Sequence, residues 1–204
     1  MVYTIIALYF NLWVFLWLRI PKPAVAVWTK KPAVVTLASH QFSLEDRYRN
    51  SFVNDIFKDN ILLAIRYATN NTNKITLKPG ETFAFHDDVL PQYQDKVDKT
   101  GNSHFSSDEG YKSDGYLVGD GVCHLASLLY WVAKDAGLNA LAPTRHDFAP
   151  VPDVPQQYGV SIYDAAGKSM SNELQNLYIS NNKSKTIAFL FNYDGKNLTI
   201  KAVN

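Results

Sequence analysis

One helix does most to limit what this sequence can become. Gly119-Asp120-Gly121 opens a helical run from about Val122 to Ala136, and Gly137 stands where a C-terminal cap belongs. Its middle, His124-Leu125-Ala126-Ser127-Leu128-Leu129-Tyr130-Trp131-Val132, is mostly apolar. A helix apolar around most of its circumference has to be covered on several sides. This one is therefore expected at the centre of the fold. The chain's single cysteine, Cys123, falls in its first turn. One cysteine rules out an intramolecular disulfide and a multi-cysteine zinc site. A lone cysteine is commonly a small buried hydrophobe. At a helix start, however, free N–H groups and the positive dipole end favour a thiolate, the nucleophilic form. Those N–H groups could also hold an oxyanion. Gly121 would let a substrate carbonyl approach the backbone.

Around this helix the sequence reads as α+β, with helices first and a mostly antiparallel sheet toward the end. Val53, Ile56, Phe57, Ile61, Ala64 and Ala68 make one apolar face, which predicts a helix over Ser51 to Thr69. A short strand is possible at Ala33 to Leu37. Ile75 to Leu77 alternates as a strand, Lys78-Pro79-Gly80-Glu81 is a turn, and Thr82 to Phe85 is extended. Residues 86–115 read as a long polar loop, often a functional feature in a compact domain. Further strands are expected at Ser161 to Tyr163, Asn176 to Ser180, Thr186 to Tyr193 and Leu198 to Val203. Asp194-Gly195 supplies the hairpin turn between the last two.

The segment Val2 to Leu18 carries no charge. At about 1.5 Å per residue it nearly crosses a hydrocarbon core of roughly 30 Å. Trp13, Trp17 and Trp28 are suited to the interface. Residues 1–20 are expected to be a transmembrane anchor, 21–50 a proline-interrupted linker and 51–204 the folded domain. Arg19, Lys22, Lys30 and Lys31 follow the apolar run, and by charge alone they would keep the domain in the cytoplasm. Hydrophobic residues make up 47% of the 204, enough for a packed core. With 20 basic and 19 acidic residues the net charge is +1, so no nucleic-acid footprint is implied.

A nucleophilic cysteine needs a base, and the base an orienting group. Histidines stand at 40, 86, 104, 124 and 146. His124 follows Cys123 directly and on a helix points about 100° away, so it is a poor direct partner and better placed at the site mouth. His146, in Pro143-Thr144-Arg145-His146-Asp147-Phe148-Ala149-Pro150, precedes the C-terminal strands. It is either the base or a loop histidine bonded to Asp147 or Asp153. A cysteine on a helix followed by a histidine on a sheet is the usual layout of papain-like and transglutaminase-like enzymes, an analogy of fold only.

Several stretches resemble the VanW family. Asn60-Ile61-Leu62-Leu63-Ala64 and Lys78-Pro79-Gly80-Glu81-Thr82-Phe83-Ala84-Phe85 are similar to its N-x-L-A and PGE-x-F-S-F opening. Gly119 to Tyr130 resembles its GGGVCQ-x-S-S-x-L-Y core, Arg145-His146 its R-x-x-HS element, and Asn176 to Asn181 its DL-x-F-x-N strand. Order and spacing agree over about residues 55–203. Asp120 stands for a family glycine and His124 for the glutamine. Tyr158-Gly159-Val160-Ser161-Ile162 occupies the place of the family's G-x-DAT aspartate. The resemblance implies a cell-envelope protein with its domain on the extracytoplasmic side. It also implies a peptidoglycan L,D-transpeptidase acting on stem peptides to form 3–3 cross-links, with no metal and no cofactor. Cys123 would be the nucleophile and His146 the base. Asp153 would orient the base, with Asp147 and Asp164 as alternatives. Gly121, Val122, His124 and Arg145 would bind substrate.

Other readings stay open. Water in place of the acceptor amine would make a stem-peptide hydrolase, a peptidase or carboxypeptidase. A cysteine that only packs would leave a non-catalytic envelope-binding module. A metal site from His86, His104, His124 or His146 with aspartates lacks any ligand spacing such as H-x-x-x-H.

Overall fold

The structure, a computed structural model, describes residues 33–164 and 172–204. The segment 1–20, expected as an anchor, lies outside the described residues. No helix among the described residues is long and apolar enough to cross a membrane.

In chain order the elements are β1 (Thr36–Ser43), α1 (Ser51–Thr69), β2 (Lys74–Leu77), β3 (Thr82–Ala84), β4 (Val97–Thr100), α2 (Val122–Asp135), β5 (Asn139–Leu141), β6 (Tyr178–Ser180), β7 (Ile187–Tyr193) and β8 (Asn197–Val203). Single 3-10 turns lie at Pro91–Tyr93, Ser107–Glu109, Gln156–Tyr158 and Asn172–Leu174. One sheet has the order β1-β8-β7-β2 and is antiparallel throughout. The other has the order β4-β3-β6-β5, with β3 and β4 its one parallel pair. The fold is α+β, as the sequence suggests.

The α1 helix starts where the Asn50 side chain accepts the Phe52 N–H and stops where Asn70 turns left-handed at φ 48°. Its buried stripe is Ile56, Phe57, Asn60, Ile61, Ala64, Ile65 and Thr69. The α2 helix packs against β1, β8, β5 and α1. It buries Leu125, Leu128, Leu129 and Val132, each worth roughly 1.5–3 kcal/mol of transfer energy. In the β7–β8 hairpin Ile187, Phe189 and Phe191 face the core opposite Leu198, Ile200 and Ala202. The Asp194 carboxylate closes the turn by accepting the Lys196 and Asn197 N–H groups at 2.9 and 2.7 Å.

Three elements depart from the sequence reading. Residues 36–43, taken as linker, form β1 and pair with β8 from Thr36↔Val203 to Ser43↔Asn197. Phe42 and Leu44 bury there, so this stretch belongs to the folded unit that starts at Val34. The loop 86–115 contains β4. Ser161 to Tyr163, expected as a strand, belongs to neither sheet. Side chains of α2 take its neighbouring backbone donors: Val160 N–H goes to Ser127 Oγ at 2.9 Å and Ile162 N–H to Cys123 Sγ at 3.4 Å. Positions 160 and 162 of an extended chain thus match positions 127 and 123 of the helix, one turn apart.

Candidate active site

Cys123 is the second residue of α2 and partly buried. Its thiol faces the Ile162 peptide, donating to the carbonyl at 3.5 Å and accepting from the N–H at 3.4 Å. Around it the first turn is mostly satisfied. Val122 N–H bonds Gly119 O, and His124 and Leu125 N–H both bond Gly121 O, at 3.0–3.2 Å. The Cys123 N–H has no backbone acceptor among the described residues. It lies against its own thiol, where it favours the thiolate.

Gly121 has φ 97° and is buried. A Cβ there would meet Phe57 O at 2.9 Å and the Ile61 side chain at 3.0 Å. The space its hydrogen leaves is filled by α1, so the glycine serves close helix packing rather than approach of a carbonyl. Val122 is likewise buried in the core. Arg145 is exposed, 4.0 Å from Asp147.

His146 is buried, and its segment runs beside the one that covers the thiol: His146 N–H bonds Gly159 O at 3.3 Å and Ser161 N–H bonds Thr144 O at 3.0 Å. Its Nδ1 pairs with Ala149 O at 2.8 Å, which makes Nδ1 the donor and leaves Nε2 as acceptor. The ring lies 3.9 Å from Phe148 and 5.9 Å from His124. The thiol is hydrogen-bonded to Ile162 and not to His146. The Ala149 carbonyl is what orients the imidazole here. Asp153 is engaged elsewhere, with Arg47 at 2.9 Å and Ser43 N–H at 3.4 Å. Asp164 pairs with His104 at 2.6 Å.

Burial sets the charge states. It pushes the Cys123 thiol above its ordinary range, the Ile162 amide works against the rise, and the Asp120 charge adds to it. The helix start was expected to favour thiolate; desolvation outweighs it in this resting arrangement. Burial also drives His124 down to about 3, with the His146 and Arg47 charges acting in the same direction. Asp120 is raised by burial, opposed by the Tyr48 hydroxyl beside it. Tyr48 itself is pushed up to about 12, first by burial and then by Asp120. Asp120 Oδ2 and His124 Nδ1 are buried and have no hydrogen-bond partner among the described residues. They flank Cys123 in the chain.

A second polar cluster lies elsewhere. Asp87, His104 and Asp164 bring one nitrogen and two carboxylate oxygens within 4.8 Å of one another, a grouping that sequence spacing did not show. These three could contribute ligands to a cation; in the structure His104 and Asp164 already form an ion pair, and that bond raises the imidazole above its usual pKa.

Sequence reasoning missed the asparagines that build this region. Asn60 on α1 accepts Lys112 N–H at 2.9 Å and donates to Lys112 O and Asp120 O at 3.0 and 3.1 Å. It fastens the loop before α2. Asn60 was visible only as a letter of the N-x-L-A stretch; asparagine in a helix interior, on the apolar face, was the available signal.

These features define an α+β domain with a single cysteine at the N-terminus of its central helix. The chain belongs to the VanW-like family: a family model described as "VanW like protein" matches residues 62–203. No curated protein and no solved structure matches it.

Proposed function

We propose that this chain is a cell-envelope cysteine acyltransferase, an L,D-transpeptidase that joins peptidoglycan stem peptides. The observation that carries the reading is the place of Cys123, in the first turn of the central helix of a VanW-like domain. Catalysis starts with the thiol turning away from Ile162, losing its proton to His146 Nε2 as it does so. Sγ bonds the carbonyl carbon of the third stem residue, and the Cys123 N–H stabilises the oxyanion. The carbon–nitrogen bond to the terminal D-alanine breaks, and the leaving amine takes the proton from His146. An amine of a neighbouring stem then attacks the thioester and releases the thiol. The order of a helix cysteine and a later histidine is also that of papain-like and transglutaminase-like enzymes, an analogy of sequence order only.

The test is muropeptide analysis of sacculi treated with the protein. Cys123→Ala should abolish 3–3 dimers, and His146→Ala should slow their formation on the order of 10²-fold or more. Dimers formed undiminished by Cys123→Ala would end the mechanism. Loss of D-alanine without dimers would turn the reading to a hydrolase. An unmodified Cys123 throughout would leave a binding module.

The uncharged run 2–18 is proposed to tether the domain on the extracytoplasmic side, where its substrate lies. Protease added to intact spheroplasts should digest the domain. Protection until lysis would place it in the cytoplasm, away from the wall.

A further inference from the structure

Three buried side-chain polar atoms lack a partner among the described residues: Asp120 Oδ2, His124 Nδ1 and Asn204 Oδ1. Two of them flank the candidate nucleophile. An unmet buried acceptor costs about 1–3 kcal/mol, and more when charged. A fold bears that cost in few places, and those places are informative. Asp120 has special chemistry here. An ionised carboxylate only accepts, so what Oδ2 lacks is a donor. The Tyr48 hydroxyl and the Gly121 N–H already favour the ionised carboxylate, leaving Oδ2 as the atom without a partner, and the nearby charges of Asp114 and Cys123 do not relieve a negative group. Arg47, the basic side chain close enough to act on His124, is committed to Asp153 at 2.9 Å. The family resemblance gives glycine at this position, so the carboxylate is a feature of this chain.

We infer that Asp120 selects the acceptor: its unpartnered Oδ2, three residues before Cys123, takes the ammonium of the incoming stem and holds it beside the thioester. This rests on the transpeptidase reading and answers why an amine rather than water would complete the reaction. An ammonium offers three donors from one atom, and His124 Nδ1, in a ring kept neutral, is a second acceptor in the Nε2–H tautomer. The bound ammonium gives one proton to His146. The free amine forms a bond to the thioester carbon, the carbon–sulfur bond breaks, a second proton goes to sulfur, and one stays on the new amide nitrogen. Asp120 leaves this step still ionised. A cation at Asp120 also offsets the charge that disfavours the thiolate, so acceptor binding and a good leaving sulfur coincide.

The experiment loads the 204-residue chain with a stem tetrapeptide ending in D-alanine and follows Cys123 by intact mass. The acyl-enzyme is then partitioned between hydrolysis and transfer to two probes: a stem tetrapeptide with a free side-chain amine, and hydroxylamine, uncharged at neutral pH. For Asp120→Asn the half-saturating concentration of the cationic acceptor should rise on the order of tenfold. Transfer to hydroxylamine should not fall, because removing the Asp120 charge leaves the sulfur no worse a leaving group, and Asp120→Glu should recover part of the loss. A melting curve confirms that each variant is folded; should Asp120→Asn fail to fold, Asp120→Ser carries the same comparison. Acylated variants with an unchanged acceptor concentration dependence would overturn the inference and leave the transpeptidase standing. Absence of any acyl adduct on the unaltered chain would overturn the transpeptidase reading and this inference with it.

Discussion

Two polar regions of this molecule are built on opposite terms. Around β3 and β6 the buried side-chain groups of the described residues are answered. Asn176 Oδ1 accepts Phe85, His86 and Leu177 N–H, while its Nδ2 donates to His86 O and Asp88 O. Asn181 joins Leu77 O, Lys185 O and Lys183 N–H. His86, fully buried, sits on Gln175 O at 3.0 Å. At the start of α2 two polar atoms are left open: Asp120 Oδ2 and His124 Nδ1 have no hydrogen-bond partner among the described residues. The first region is scaffold, where a satisfied network specifies one arrangement. The second has the unmet valences that a ligand can fill. Burial differs as well: Asn176, Asn181 and His86 are fully buried, whereas Asp120, Cys123 and His124 are only half-buried.

The comparison breaks most visibly at Asn176. Asn176→Ala removes the partner of the His86 and Leu177 N–H groups and of two carbonyls, while Phe85 N–H keeps Leu177 O, and should cost about 3–4 kcal/mol in urea unfolding. A loss under about 1 kcal/mol would show that the β3–β6 network is not scaffold. A smaller effect is expected at His124. Its folded pKa lies near 3 because burial, chiefly, opposes the charged ring. The unfolded chain therefore binds the extra proton, and stability is fully present above about 6.5 and lost as pH falls toward 3. Between pH 7 and pH 5 this group should remove about 2 kcal/mol, and His124→Gln should abolish that part of the pH dependence of Tm. An identical slope in the variant would mean that His124 is not held neutral by the fold. Smallest is Asp120. A carboxylate whose ionised form is disfavoured by burial should be exchanged for an amide with a change under about 1 kcal/mol at pH 7, toward greater stability. Destabilisation as large as that of Asn176→Ala would make Asp120 scaffold and remove the contrast.

Much of the architecture could be read from residue order. The span of α1 follows from its three- and four-residue apolar spacing and from Asn50 and Asn70 at its ends, which are local signals. The hairpin β7–β8 follows from alternation and Asp194-Gly195. The position of Cys123 in the first turn of α2 follows from Gly119 and Gly121 and the apolar run behind them. β5 was not legible because three residues with one buried side chain have no period to detect, and its partner β6 comes nearly forty residues later. β1 was legible only as the possible short strand at Ala33 to Leu37, which overlaps its first two residues; its pairing with β8 is a contact between the two ends of the folded unit.

The sequence by itself determined that a nucleophilic residue type would stand at the start of a buried helix, because glycine, apolar spacing and caps act within a few residues. It named His146, but it could not say what would hold the ring. Only the tertiary structure decided that Ala149 O orients His146, that Asp153 belongs to Arg47, and that the Ile162 peptide covers the thiol. Those outcomes depend on loops brought together from distant parts of the chain. Desolvation was decided there too: the dipole of a helix start is local and legible, whereas the burial that overrides it at Cys123 is a property of everything packed around the helix.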